Sequence, residues 1–221
     1  MIVLPDFSKS FDYENNFHLS CDVSRMRKVI IHYELFKMTS EIPGTIVECG
    51  VFKGVSLARF AIFRALMENN SSRKIIGFDI FGKYPQTKFE PDKTIRKEFI
   101  EETGGGEGIS LEQMITVLKH KKCDKNTELI EGDICQTVPR YLKVNPQLKI
   151  SLLNLDTDIY EPAVAILEYF WPRIQKGGVL ILDDYCVFPG ETKAIDDYFQ
   201  DKAVNIRRFP FCSSPSYIIK E

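Results

Sequence analysis

Residues 46–56, Ile46-Val47-Glu48-Cys49-Gly50-Val51-Phe52-Lys53-Gly54-Val55-Ser56, decide the fold. A short apolar run carrying one acid meets Gly50, Gly54 follows, and an apolar pattern of helical spacing begins. That order spells strand, tight turn, helix. In a parallel α/β sheet such a turn stands at the carboxyl end of a strand, where the ligand crevice opens. Gly50 and Gly54 let backbone approach a ligand closely. The dinucleotide fingerprint G-x-G-x-x-G asks for glycine at position 52, where Phe52 stands. A pyrophosphate then has poor access to the helix N-terminus, which disfavours a nicotinamide oxidoreductase. Glu48 beside the turn suits a cationic ligand better than phosphates.

Working outward, the chain alternates. Before the turn, Asp22 or Ser24 caps a helix running to about Thr39, and Pro43-Gly44 breaks it. Residues 1–21 are polar and aromatic without clear period. After the turn a helix over Val55–Glu68 precedes a strand over Lys74–Asp79. A long loop begins at Phe81-Gly82-Lys83-Tyr84-Pro85, and helices follow near Pro91–Glu102 and from Ser110, which forms a capping box with Gln113. Strands over Thr127–Asp133, Leu148–Asp156 and Val179–Asp184 alternate with helices over Ile134–Leu142, Glu161–Ile174 and Thr192–Gln200. Two last strands, Val204–Arg208 and Ser216–Ile219, are close enough to pair antiparallel. The pattern predicts an α/β fold: a mostly parallel seven-stranded sheet with one antiparallel C-terminal strand and helices on both faces.

Composition narrows the partners. With 221 residues, 44% hydrophobic and 27% charged, the chain can bury the core of one domain with an N-terminal extension. A net charge of -2 gives no electrostatic case for nucleic acid or an anionic membrane. The basic clusters Arg25 to Lys28, Lys119 to Lys122 and Arg207-Arg208 read as solvated faces. Six scattered cysteines form no C-x-x-C pair and have no histidine at zinc spacing, so a reducing compartment is expected. The N-terminus does not read as a signal peptide, and no apolar run nears the ~20 residues of a membrane span, so a cytoplasmic protein is expected. His18, His32 and His120 are dispersed, the last two reading as helix-surface residues. The glycines of 104–108 lack the G-K-[ST] ending of a phosphate loop and read as a lid segment or a plain connection.

The acids at strand ends carry the chemistry. Asp79 ends the second strand, where a carboxylate can accept both hydroxyls of a ribose. Asp133 ends the third and can accept from an adenine amino group. Asp156 and Asp158 end the fourth strand, and Asp183 and Asp184 end the fifth beside it. Four carboxylates this close raise one another's pKa unless a cation neutralises them. Oxygen donors from two adjacent strand ends suit a hard divalent ion. Helix capping is the alternative reading, and Asp158 precedes the helix that opens at Glu161.

Val47-Glu48-Cys49-Gly50-Val51-Phe52-Lys53-Gly54, Gly77-Phe78-Asp79-Ile80-Phe81, Glu131-Gly132-Asp133, Leu155-Asp156-Thr157-Asp158-Ile159-Tyr160-Glu161 and Leu182-Asp183-Asp184-Tyr185 together resemble the macrocin O-methyltransferase family. The resemblance covers about residues 45–200 in matching order. It implies a class I, Rossmann-like methyltransferase that uses S-adenosylmethionine. Glu48, Gly50, Val51, Gly54, Ser56, Asp79, Phe81 and Asp133 would bind that cofactor, with Glu48 and Gly50 at its methionine part. Asp156, Asp183 and Asp184 would hold Mg²⁺, and Asp158 would be the general base. The implied acceptor is a sugar hydroxyl of a glycosylated natural product, a nucleotide sugar or a polysaccharide precursor. An aromatic vicinal diol, as in catechol-type enzymes, also offers two adjacent oxygens. A non-catalytic nucleoside-binding protein has little reason to cluster four carboxylates. Residues 1–44 are expected to be an arm and helix acting as lid or subunit contact, residues 45–221 the methyltransferase domain, and the assembly a homo-oligomer.

Overall fold

Strand β1 (Thr45–Cys49) lies inside a seven-stranded sheet, between β2 (Ile75–Asp79) and β4 (Ile150–Leu155). Outside β2 runs β3 (Thr127–Glu131); outside β4 run β5 (Ile174–Leu182), β7 (Ser216–Ile219) and β6 (Arg207–Arg208). Strands β1 to β5 pair in parallel, and β7 runs antiparallel to both β5 and β6. This is the architecture the sequence predicts. It is drawn from a computed structural model describing residues 2–221. Because β1 has β2 on one side and β4 on the other, the chain order reverses beside it, and a crevice opens there at the carboxyl ends of the strands.

Period-two alternation divides the core between the two faces. Val47, Cys49, Phe78, Leu153 and Leu155 pack with α6 (Ile134–Val144), α7 (Tyr160–Phe170) and α8 (Pro189–Phe199). Ile46, Ile75, Leu152 and Ile181 pack with α2 (Val23–Met38), α3 (Val55–Met67) and α5 (Leu111–His120). Each large apolar side chain so buried contributes about 1.5–3 kcal/mol. Glu48 and Asn154 share the phase of Ile46 and Leu152 and pair in register, so two polar residues enter an otherwise apolar layer beneath α3.

Several local expectations need correction. Residues Ser10–Ser20 form helix α1, missed because the helix buries no residue and so shows no apolar stripe. The helix expected to reach Ile174 stops at Phe170; a 3₁₀ turn over Trp171–Arg173 contains Pro172, and β5 starts at Ile174. Lys176-Gly177-Gly178 therefore lies within β5. There β4 and β5 slip register, and a Cβ on Gly178 would stand 2.9 Å from the Ser151 carbonyl oxygen. Strand β6 is two residues long, not five. The glycine-rich segment is an ordered return, with Tyr84 N–H on the Gly106 carbonyl at 3.0 Å and Gly108 N–H on the Gly82 carbonyl at 2.9 Å.

Candidate active site

The turn after β1 forms the floor of the crevice. Gly50 has φ +94°, and a Cβ there would fall 1.6 Å from the Asp156 carbonyl oxygen, so the ends of β1 and β4 meet backbone to backbone. Asp79 fastens the same turn: its Oδ2 accepts from Val51 N–H at 2.7 Å and Phe52 N–H at 3.0 Å, and its Oδ1 from Phe81 N–H at 2.6 Å. Burial raises the Asp79 pKa, and these backbone donors oppose the shift.

Gly54, at φ +83°, begins α3 with no side-chain cap, and a Cβ on it would meet Met114 Sδ at 2.6 Å. The left-handed backbone is what calls for glycine there, since the Met114 side chain can shift. Phe81 turns into the core and is 5% exposed. Asp133 caps α6 by accepting from Cys135 N–H at 2.9 Å. Glu48 is fully buried under α3, with Ser56 Oγ and Asn154 Nδ2 donating to Oε1 and no hydrogen-bond partner for Oε2. Burial pushes Glu48 up to about 8.

Strands β4 and β5 deliver the acids. One oxygen each of Asp156, Asp158 and Asp184 lies within 4.8 Å of the others. Asp158 has φ +62°, a conformation that costs a non-glycine residue energy and that recurs where function demands it. Tyr84 donates its hydroxyl to Asp158 Oδ2 at 2.7 Å. Burial, and then the neighbouring carboxylates, push Asp156 and Asp184 well above the usual range. Burial likewise lifts Asp158 to about 7, with Asp184 and Tyr84 as opposing hydrogen-bond partners. Three hard oxygen donors whose charges repel across so short a span fit a divalent cation such as Mg²⁺.

Asp183 has different company. Lys28 Nζ stands 2.5 Å from its Oδ2, and His32 Nε2 is 3.7 Å from its Oδ1, too far for a hydrogen bond. Burial would raise its pKa, but Lys28 and then His32 outweigh that and hold Asp183 well below the usual carboxylate range. Arg59 Nη1 is 3.0 Å from His32 Nδ1. Since guanidinium only donates, Nδ1 accepts and the ring proton sits on Nε2, toward Asp183. His32 is thus buried and neutral, its pKa lowered to about 4 chiefly by burial, rather than the surface residue expected. Nor is Lys28 part of a solvated face. Arg25, Lys28 and His32, spaced by three and four, share one side of α2, and that spacing was visible in the sequence.

Most of these residues border one cavity of about 1110 Å³. Gly50, Val51, Ser56, Asp79 and Asp133 line it together with Asp156, Asp158, Asp183 and Asp184, whereas Glu48, Gly54 and Phe81 lie outside its lining. Sequence reasoning missed Tyr84, Arg59 and Glu191. Glu191, in the first turn of α8, is fully buried and accepts from the backbone of both acidic loops. Nothing in its sequence neighbourhood announces that role.

Strand order 3-2-1-4-5-7-6, with an acid at the end of β2 and a glycine turn after β1, is the class I fold of S-adenosylmethionine-dependent methyltransferases. The sequence pattern of the macrocin O-methyltransferases matches residues 23–208, and the chain belongs to that family. It is similar to the 8-demethyl-8-(2,3-dimethoxy-alpha-L-rhamnosyl)-tetracenomycin-C 4'-O-methyltransferase of Streptomyces olivaceus, 28% identical over 66% of this chain and 54% of that enzyme. The match thus spans about half the length of that relative. The demethyldecarbamoylnovobiocin O-methyltransferase of Streptomyces niveus is 24% identical over 85% of this chain and 70% of its own. Among solved structures, the calicheamicin methyltransferase CalS11 superimposes with a TM-score of 0.78 at 27% identity, covering 98% of this chain and 86% of its own. Its apo structure is described as that of a TDP-rhamnose 3'-O-methyltransferase. No helix among the described residues is long and apolar enough to cross a membrane.

Proposed function

We propose that this chain transfers a methyl group from S-adenosylmethionine to a hydroxyl of a sugar, with Mg²⁺ as an essential cofactor. The sugar belongs to a glycosylated natural product, a nucleotide sugar or a polysaccharide precursor. One observation carries the proposal: the Asp156, Asp158 and Asp184 oxygens converge in the same cavity as the β1 turn. The rhamnose-based acceptors in the names of two relatives support a sugar over a catechol.

The donor is a sulfonium ion, so its methyl group is already activated and alignment is the main task. Gly50, Val51 and Ser56 border the donor's methionine half, and Asp79 and Asp133 its nucleoside half. Asp79 retains acceptor capacity for a ribose hydroxyl beyond its three backbone bonds. Asp156 and Asp184 would hold the cation, and Asp183, paired with Lys28 in this structure, would be the further ligand. Bound there, Mg²⁺ would lower the pKa of neighbouring acceptor hydroxyls and fix their orientation. Asp158 takes the hydroxyl proton as the oxygen–carbon bond forms and the carbon–sulfur bond breaks, leaving S-adenosylhomocysteine. General-base help of this kind contributes typically ~10²–10⁴-fold. Tyr84 orients the Asp158 carboxylate through Oδ2.

Two further features bear on the setting. All six cysteines are free thiols, in keeping with a reducing cytoplasm. Helix α1 buries no residue, leaves Phe11 and Leu19 exposed, and brings Phe17 to the cavity, which supports residues 1–44 as lid or subunit contact beside the 45–221 methyltransferase domain.

The test is an acceptor panel with S-adenosylmethionine and Mg²⁺, read by mass spectrometry. TDP-rhamnose and a rhamnosylated natural product should gain one methyl group while catechol does not. Methylation of catechol alone would reverse the acceptor assignment.

A further inference from the structure

Asp156 with Asp158, and Asp183 with Asp184, stand on separate loops leaving different strands. Side chains that must share one ligand need those loops at a fixed spacing, because mutual repulsion drives carboxylates apart. Glu191 spans the gap. Its Oε2 accepts from Thr157 N–H at 3.3 Å, and its Oε1 accepts from Asp184 N–H at 3.0 Å. Its own N–H donates to the Asp158 carbonyl oxygen at 3.2 Å. One fully buried residue therefore touches the residue between Asp156 and Asp158, the backbone of Asp158 and the backbone of Asp184.

A buried carboxylate beside other carboxylates is expensive to retain. A carboxylate alone offers two equivalent acceptor oxygens on one rigid plane, one for each loop. The Asp158 backbone it helps hold is the one at φ +62°.

A second buried acid of the same neighbourhood gives the contrast. Asp92, on α4 (Glu90–Glu102), accepts from Tyr160 N–H at 3.0 Å and Gly190 N–H at 2.7 Å. It fastens helix N-termini to one another and touches none of the four aspartates of the site.

We infer that Glu191 is a positioning residue of the reaction: by bonding both acidic loops through one carboxylate, it sets the spacing at which Asp156 and Asp184 share a cation beside Asp158. The inference rests on the metal-dependent reading given above.

The experiment compares the full chain with Glu191→Gln, Glu191→Ala and Asp92→Asn. Calorimetric titration with Mg²⁺ and, separately, with S-adenosylhomocysteine is combined with thermal unfolding. Glutamine keeps the volume and one acceptor oxygen, so Mg²⁺ affinity should fall about 10–100-fold, the usual range for residues that orient metal ligands, and further in the alanine variant. Affinity for S-adenosylhomocysteine should change less than about twofold, since Glu191 bonds Thr157, Asp158 and Asp184 and none of Gly50, Val51, Ser56, Asp79 and Asp133. Asp92→Asn should lower the unfolding midpoint and leave Mg²⁺ affinity in place. Unchanged Mg²⁺ affinity in a folded Glu191→Gln chain overturns the inference, as does parallel loss of both ligands. A wild-type chain that binds S-adenosylhomocysteine but no Mg²⁺ overturns the metal reading and this inference with it.

Discussion

The Tyr84 hydroxyl stands 2.7 Å from Asp158 Oδ2, joining the loop after β2 to the loop after β4 across the cavity. Further bonds run alongside it: Glu161 accepts from Lys88 N–H at 2.6 Å and Thr87 Oγ1 at 3.0 Å, and the Phe89 and Tyr160 rings stack at 5.0 Å. Segment 84–89 is thereby a fixed wall beside Asp158.

Tyr84→Phe removes a donor that favours the ionised form of Asp158. Burial already pushes Asp158 up to about 7, with Asp184 and Tyr84 among the opposing partners. A general base works ionised, so activity rises as pH climbs through its pKa. Loss of Tyr84 should move that acid limb to higher pH and lower kcat near pH 7 by about tenfold. The pH–rate profile checks this, and an unshifted limb would contradict it.

Glu48→Gln should change how stability responds to pH. Glu48 is raised to about 8 in the folded chain by burial, against ~4.3 when exposed. Between those values the folded state holds a proton that the unfolded state has lost, so stability falls as pH rises from about 4.3 to about 8. The glutamine variant lacks this dependence. Its thermal midpoint should decline less than that of wild type between pH 6 and pH 8, roughly in line with ~1.4 kcal/mol per pH unit. Parallel curves would refute the assignment.

His32 acts at the opposite end of the scale. Its folded pKa of about 4 lies below the ordinary ~6.5, so stability is lost as pH falls from about 6.5 toward about 4. His32→Gln should flatten the acid side of the stability curve in denaturant titrations. A wild-type slope retained in the variant would assign it to another group.

Lys28→Met strips Asp183 of its nearest cation. Breaking a fully buried pair costs about 3–5 kcal/mol; here the loss should be smaller because the Lys28 side chain is 32% exposed. Mg²⁺ should restore part of the lost thermal midpoint, since Asp183 can then turn to the metal. Equal losses with and without Mg²⁺ would exclude Asp183 as a ligand.

Gly50→Ala places a Cβ 1.6 Å from the Asp156 carbonyl oxygen and should abolish S-adenosylhomocysteine binding or folding itself. Gly82→Ala, whose nearest contact would be 3.8 Å away, should leave binding unchanged. Circular dichroism and calorimetry on the pair separate local crowding from a general effect of glycine replacement.

The sequence made the sheet legible because its strands are apolar runs bounded by glycine turns, and the acids at their ends could be placed before any coordinates. Side-chain direction was not legible in the same way. Asp183 and Asp184 are adjacent in the turn that follows β5, yet their side chains part: Asp184 joins Asp156 and Asp158, while Asp183 meets Lys28. Lys28 and His32 looked like surface residues because polar residues are mostly exposed, a rule that fails where a helix lies over buried acids. Helix α1 buries nothing and left no apolar period. Glu191 and Tyr84 reach the site from segments distant in sequence, and only the folded chain brings them there.

The most direct test is single-turnover methyl transfer to TDP-rhamnose by the wild-type chain in Mg²⁺ and in EDTA, with S-adenosylhomocysteine affinity measured under both conditions. The account predicts donor-product binding in both and transfer in Mg²⁺ alone, with transfer falling at least ~10²-fold in Asp158→Asn. Full transfer in EDTA, or an Asp158→Asn chain as fast as wild type, would contradict it.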